Sequence, residues 1–253
     1  MLSDVGSATI KEYGILNTVA EEALGLDADD PDVLADFELL VSVTGANEMF
    51  VGIAYPGTFM LDPDGVVTSR FFEDSYQERN TASNILLQLD AGGSAVEGTE
   101  ISTSHVEILT YPSDAVIALG ERFSLALEIV PQPTMHVYAP GAELLGYRVI
   151  TLRIEPQPFV RILPMEYPES ETYYFEPLDE RVPVYQTPFT LLQEVVPEVT
   201  REAQAAFRGK DELTLTGSLE YQACDDEVCY NPVSVPLSWT VAIRPLTFRP
   251  RRP

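Results

Sequence analysis

The chain has 253 residues, 45% of them apolar, and carries 15 Lys and Arg against 40 Asp and Glu, a net charge of −25. That length fits one large or two moderate domains with a packed core. The charge argues against nucleic acid and anionic membrane surfaces as partners, because cationic side chains supply the affinity for both.

No stretch approaches the roughly eighteen apolar residues of a membrane helix, so no membrane insertion is expected. The opening MLSDVGSATIKEYG has neither a basic leader nor an apolar run, so any leader is expected upstream of this chain. Residues 1–90 have α/β character. Ser3 or Asp4 caps a short predicted helix that carries Ile10 and Tyr13 and ends at Gly14. Asp30-Pro31 opens a second, with Val33, Leu34, Phe37, Leu40 and Val41 on one face. Residues 57–61 and 66–72 read as two strands around the turn Asp62-Pro63-Asp64-Gly65. Residues 76–89 read as a helix with Ala82, Ile85, Leu86 and Leu89 on one side.

The runs GIAYPGTFMLDPDGVVTSRFFE (52–73) and LSDVGSATIKEYGILN (2–17) resemble a redoxin, the peroxiredoxin-like (AhpC/TSA-type) branch of the thioredoxin superfamily. The resemblance implies that residues 1–90 are a thioredoxin-like α/β segment without its N-terminal half. The strand, reactive-cysteine turn and strand of that family would precede residue 2. It also implies that Pro56 matches the family's cis-proline. No cysteine precedes Cys224, so this segment is not expected to be a cysteine peroxidase by itself, and its sheet is expected to be incomplete.

Residues 91–100, AGGSAVEGTE, are small and polar and read as a linker. From Ile101 onward the pattern is that of strands. Arg122 to Val130 alternates with Phe123, Leu125, Leu127 and Ile129 inward. Tyr147 to Ile154 alternates with Ile150, Leu152 and Ile154 inward. Further predicted strands cover 101–109, 115–118, 134–139, 159–163 and 188–195, with prolines beside them as on edges and open turns. Residues 198–207 read as one short helix. With the final hairpin this makes about eight or nine strands, an all-β sandwich of immunoglobulin type over 101–245. The fold class is therefore α+β overall. The tail, 246–253, is basic, proline-rich and expected to be disordered.

The stretch Leu219 to Pro232, LEYQACDDEVCYNP, holds both cysteines of the protein. Alternating strands flank it, 213–223 and 235–243, so the cysteines sit at the end of an antiparallel hairpin. Cys224 falls on the polar parity of its strand and is expected to face solvent or a covering loop. Three uses of such a pair are open. A structural staple over so short a loop contributes only about 2 kcal/mol. A redox pair would exchange electrons with a partner. A metal site would need four ligands, and the only histidines, His105 and His136, lie far away in sequence. Asp225, Asp226 and Glu227 disfavour a nearby thiolate and select against anionic partners, or they simply solvate a turn.

The run YQACDDEVCYNP resembles the cysteine motif in the N-terminal domain of the periplasmic thiol–disulfide interchange protein DsbD. The likeness rests on Tyr221-Gln222 before the first cysteine and on Tyr230 and Pro232 after the second. Met135-His136-Val137-Tyr138 resembles that family's aromatic strand near the pair. Glu166 to Tyr185 lies where the family carries a capping loop, with Phe175 as the capping aromatic. The resemblance implies an immunoglobulin-like domain over residues 101–245, with Cys224 and Cys229 as the catalytic redox disulfide. It places His136, Tyr138, Phe175, Tyr221 and Tyr230 near them. It further implies a thiol–disulfide oxidoreductase of the protein-disulfide reductase type, outside the cytoplasm, with thioredoxin-like or other thiol–disulfide proteins as partners. No cofactor and no metal are called for. Two alternatives stand beside it. One is an interaction module whose disulfide fixes a hairpin. The other is the remnant of a peroxide-reducing redoxin whose reactive cysteine lies upstream.

Overall fold

The computed structural model describes residues 5–16, 52, 54–55, 57–72, 78–90, 96–176 and 179–244. The chain divides into two compact units, Met1–Tyr76 and Gln77–Pro253.

In the first unit a 3-10 turn, Val5–Ser7, leads into helix α1, Ala8–Glu12, which ends before Gly14 at φ 68°. Strands β1, Gly57–Leu61, and β2, Val67–Phe72, pair antiparallel. The Asp62 carboxylate accepts the Asp64 and Val66 N–H groups at 3.0 and 2.8 Å, and Gly65 takes φ 81°. An aspartate that bonds its own downstream backbone and a glycine with positive φ are what this turn requires. The second predicted helix of this segment and Pro56 lie outside the described residues.

The second unit is a sandwich. One sheet runs, in spatial order, β10 (Val160–Ile162), β13 (Phe189–Pro197), β7 (Glu121–Pro131), β5 (Val106–Pro112) and β4 (Thr99–Ser102). The facing sheet runs β6 (Val116–Ile117), β16 (Val233–Ile243), β14 (Glu212–Tyr221) and β9 (Thr151–Ile154). Phe123, Leu125, Leu127 and Ile129 of β7 and Leu213, Leu215, Leu219, Val235, Leu237, Trp239 and Val241 of the final hairpin form one buried cluster. Period-two alternation selects these residues for the core face. The Trp239 indole N–H donates to the Thr110 hydroxyl at 2.8 Å, which satisfies both groups inside the core and ties the sheets together. At Gly217, which pairs with Ile154, an added Cβ would stand 2.2 Å from the Arg153 carbonyl oxygen, so glycine is what lets β9 pair here.

Helix α2, Ala82–Gln88, grouped from the sequence with residues 1–90, lies in this second unit. Thr81 caps it, accepting the Asn84 N–H. The fully buried Asn84 amide accepts from the Ser124 hydroxyl and donates to Asn80 and Glu194. Ser124 and Ala126 are buried on the outer face of β7, and α2 is what covers that face. Beside it, Glu78 pairs with Arg122 and Arg161, and β3, Arg79–Asn80, runs parallel to β7. Helix α3, Arg201–Phe207, is shorter than the predicted 198–207 because Thr200 caps it through the Ala203 N–H.

A four-stranded ribbon completes the unit: β11 (Glu171–Phe175), β12 (Glu180–Tyr185), β8 (His136–Tyr138) and β15 (Ala223–Cys224). The region 166–185, expected as a loop, is thus largely a hairpin.

Candidate functional site

The ribbon has two faces, and alternation sorts its residues between them. Val137 of β8 and Ala223 of β15 point into the sandwich core. Tyr138, Cys224, Val182, Val184 and Ala142 form a second, separate buried cluster on the other side. Cys224 therefore leaves the main core, as its parity requires, yet it is only 1% exposed because the β11–β12 hairpin and the 142–145 turn surround it.

Cys224 and Cys229 are joined by a disulfide and pair with each other as an isolated bridge across the turn. Cys229 is exposed, whereas Cys224 is buried. The intervening acids do different jobs. The Asp225 carboxylate accepts the Glu227 and Val228 N–H groups at 2.8 and 2.7 Å and the Tyr230 hydroxyl at 2.8 Å. These bonds hold its pKa below the ordinary carboxylate range and make it the residue that shapes the turn. Asp226 accepts from the Tyr173 hydroxyl at 3.0 Å, and Glu227 is exposed.

The Tyr138 hydroxyl lies 3.0 Å from Cys224 Sγ and 3.3 Å from Cys229 Sγ. Disulfide sulfurs carry no proton, so the tyrosine O–H is the donor. Its pKa is pushed up to about 12, first by burial and then by Tyr147, Tyr173 and Glu180, which keeps the donor protonated. The Tyr147 ring stacks on Tyr138 at 4.3 Å, and its own hydroxyl donates to Glu180 at 2.8 Å. His136 is opposite Cys224 in the β8–β15 register, 2% exposed, with Tyr173 tilted over it at 4.5 Å. Burial lowers its pKa, and Asp226 and Asp225 oppose that shift.

Of the residues named from the sequence, His136, Tyr138, Cys224 and Cys229 come together. Tyr230 flanks them through Asp225, and its ring meets His105 at 4.6 Å. Tyr221 belongs to the main core, its hydroxyl 2.9 Å from Thr103, and is not beside the sulfurs. Phe175 lies at the far end of β11, on the same side as Tyr173 but two residues on. Tyr173, not Phe175, makes the contacts to His136 and Asp226. Tyr147 and Tyr173 were not singled out in the sequence. The tyrosine-rich character of 166–185 was the only signal for the second, and Tyr147 had none. Among the described residues no group of three or more potential metal ligands comes together, and no helix is long and apolar enough to cross a membrane.

The family described as "Thiol:disulfide interchange protein DsbD, N-terminal" matches residues 107–236. A search of the curated proteins finds no match. Among solved structures, the DsbD N-terminal domain of Neisseria meningitidis in its reduced form is 16% identical, with a TM-score of 0.31. That match covers 47% of this chain and 81% of that one. The N-terminal periplasmic domain of ScsB from Proteus mirabilis is 12% identical, with a TM-score of 0.37. It covers 55% of this chain and 49% of that one. A disulfide at a strand end, with a tyrosine donor on its sulfurs, is an arrangement suited to thiol–disulfide exchange in general. The family match takes in both cysteines, the β8 strand and its cover, and spans just over half of the sequence; the chain belongs to the DsbD N-terminal domain family.

Proposed function

We propose that this protein exchanges electrons with thioredoxin-like or other thiol–disulfide proteins through Cys224–Cys229, as a protein-disulfide reductase type of oxidoreductase. The observation that carries the reading is the asymmetry of the pair: Cys229 exposed, Cys224 buried with the Tyr138 hydroxyl 3.0 Å from its sulfur. A partner thiolate attacks Cys229 Sγ. A new disulfide forms between partner and Cys229, the Cys224–Cys229 bond breaks, and its electron pair passes to Cys224 Sγ. Tyr138 donates to that thiolate, which lowers the energy of the leaving group. A second partner thiolate then attacks the partner's own bonded sulfur and releases Cys229 as a thiolate. The partner leaves oxidised and the pair is reduced by two electrons. The reverse sequence passes those electrons on.

An exposed disulfide persists where thiols are not kept reduced, which supports a site outside the cytoplasm. For the remainder we keep the division read from the sequence. A redoxin-like segment opens the chain within 1–90, supported by the β1–β2 hairpin and its aspartate turn. The glycine-rich stretch read as the linker 91–100 lies between α2 and the sandwich read as 101–245, whose first strand β4 already takes in Thr99 and Glu100, and the basic tail is 246–253.

A titration in graded thiol–disulfide buffers, read by alkylation mass shift, tests the proposal. The expected midpoint lies between about −120 and −270 mV, and a midpoint below about −300 mV makes the pair a structural staple. The order of attack has its own check. Cys224→Ser should accumulate a mixed disulfide with a thioredoxin that lacks its resolving cysteine and carries an activated disulfide on the other. Cys229→Ser should accumulate little.

A further inference from the structure

We infer that the turn Gly141–Gly146 is the docking ridge by which a thiol protein seats itself over Cys229, and that its partner presents an apolar groove with basic residues beside the reactive thiol. This rests on the exchange reading above and adds the surface and the partner's chemistry.

The turn is built rather than loose. Gly141 and Gly146 bracket it at φ 102° and 90°, a region that favours glycine. The Gly141 N–H donates to the Glu143 carboxylate at 2.7 Å, and the Gly146 N–H to the Glu143 carbonyl at 3.0 Å. Ala142 is fully buried in the cysteine cluster. Out of this fixed base stand Leu144, 85% exposed, and Leu145, 46% exposed. A single exposed leucine is ordinary. Two in succession on a rigid turn, beside a redox site, form an apolar knob with no folding reason to face water.

The ridge is continuous with the disulfide. Tyr147 follows Gly146 and stacks on Tyr138, which touches both sulfurs. Two residues of chain span at most about 7 Å, so Leu145 stays close to that stack. An ordinary interface buries about 800 Å² on each partner, a patch of about 16 Å radius, wide enough to take in Cys229 and the ridge. Val228, 52% exposed next to Cys229, adds apolar surface. The charge around it selects the partner. Asp226 and Glu227 are exposed beside Cys229, Glu143 sits on the ridge, and Arg148 is the single base between residues 139 and 150. Such a rim attracts basic surfaces and repels acidic ones.

The test compares two reductants, dithiothreitol and a thioredoxin, on the full chain. Leu144→Ser/Leu145→Ser should be reduced by dithiothreitol at the wild-type rate and by the thioredoxin about tenfold more slowly or worse, as for loss of interface anchors. Leu144→Asp alone, at the more exposed position, should act in the same direction. Asp226→Asn/Glu227→Gln should flatten the fall of the thioredoxin rate with added salt. Wild-type thioredoxin rates in both leucine variants overturn the ridge. A wild-type protein that reacts with dithiothreitol but not with the thioredoxin also overturns it and leaves exchange standing. Resistance to both reductants overturns exchange and ridge together.

Discussion

At the scale of single residues the two sulfurs differ because of what lies over them. Tyr138 is the side chain whose hydroxyl reaches both, and burial keeps it protonated. Tyr138→Phe keeps the ring stacked on Tyr147 and removes only the donor. Hydrogen bonds to charged groups contribute about 1.5–3 kcal/mol, so opening of the disulfide by dithiothreitol at neutral pH should slow by about tenfold or more. Stopped-flow fluorescence or quenched alkylation would measure it, and an unchanged rate would remove Tyr138 from the exchange step. His136 makes a separate, pH-dependent contribution. Burial holds its folded pKa below the ordinary value of 6.5, so the unfolded chain binds more protons between those two values. Stability from this residue is therefore fully present above about pH 6.5 and declines as pH falls through that window. Thermal unfolding from pH 7 to pH 5 should show a drop that is smaller in His136→Phe. Equal drops in the two proteins would mean that the imidazole does not titrate in the folded site.

Among the elements, α2 is the one whose role the sequence conceals. Its apolar spacing reads as an ordinary amphipathic helix, yet its docking residue is polar. Asn84 lies with no exposed surface between Ser124, Asn80 and Glu194, and Ala82, Ile85 and Leu86 keep part of their surface in water. Asn84→Ala removes the acceptor of the fully buried Ser124 hydroxyl, at a cost of about 2 kcal/mol. For a domain of this size that lowers the melting temperature by about 4–8 °C. Differential scanning calorimetry would show it, and a loss of less than a degree would mean that α2 frays from the sheet without consequence. The capping hairpin β11–β12 was hidden for a related reason. Thr172 and Tyr174 are exposed while Glu171, Tyr173 and Phe175 are half-buried, so a strand with no fully buried residue carries no apolar alternation to read.

For the molecule as a whole, local pattern and distant contact divide the account cleanly. The sandwich class, the final hairpin from 212 to 243, the inward residues of β7 and the cysteine pair were all legible, because period-two alternation and residue identity are local properties. Strand ends were legible where a turn residue marks them, as at Asp62, whereas the helix expected from residue 198 begins only after the Thr200 cap. The expectation against nucleic-acid and anionic membrane-surface partners rests on net charge alone, a sum that needs no coordinates. The tertiary structure decided which cysteine is reachable. Cys224 and Cys229 look equivalent in LEYQACDDEVCYNP. They differ because β8 brings Tyr138 from 86 residues upstream, and because β12 and the 142–145 turn close over one sulfur and not the other. Burial of a side chain is the sum of contacts made by segments far away in sequence. No window of residues around the pair contains it.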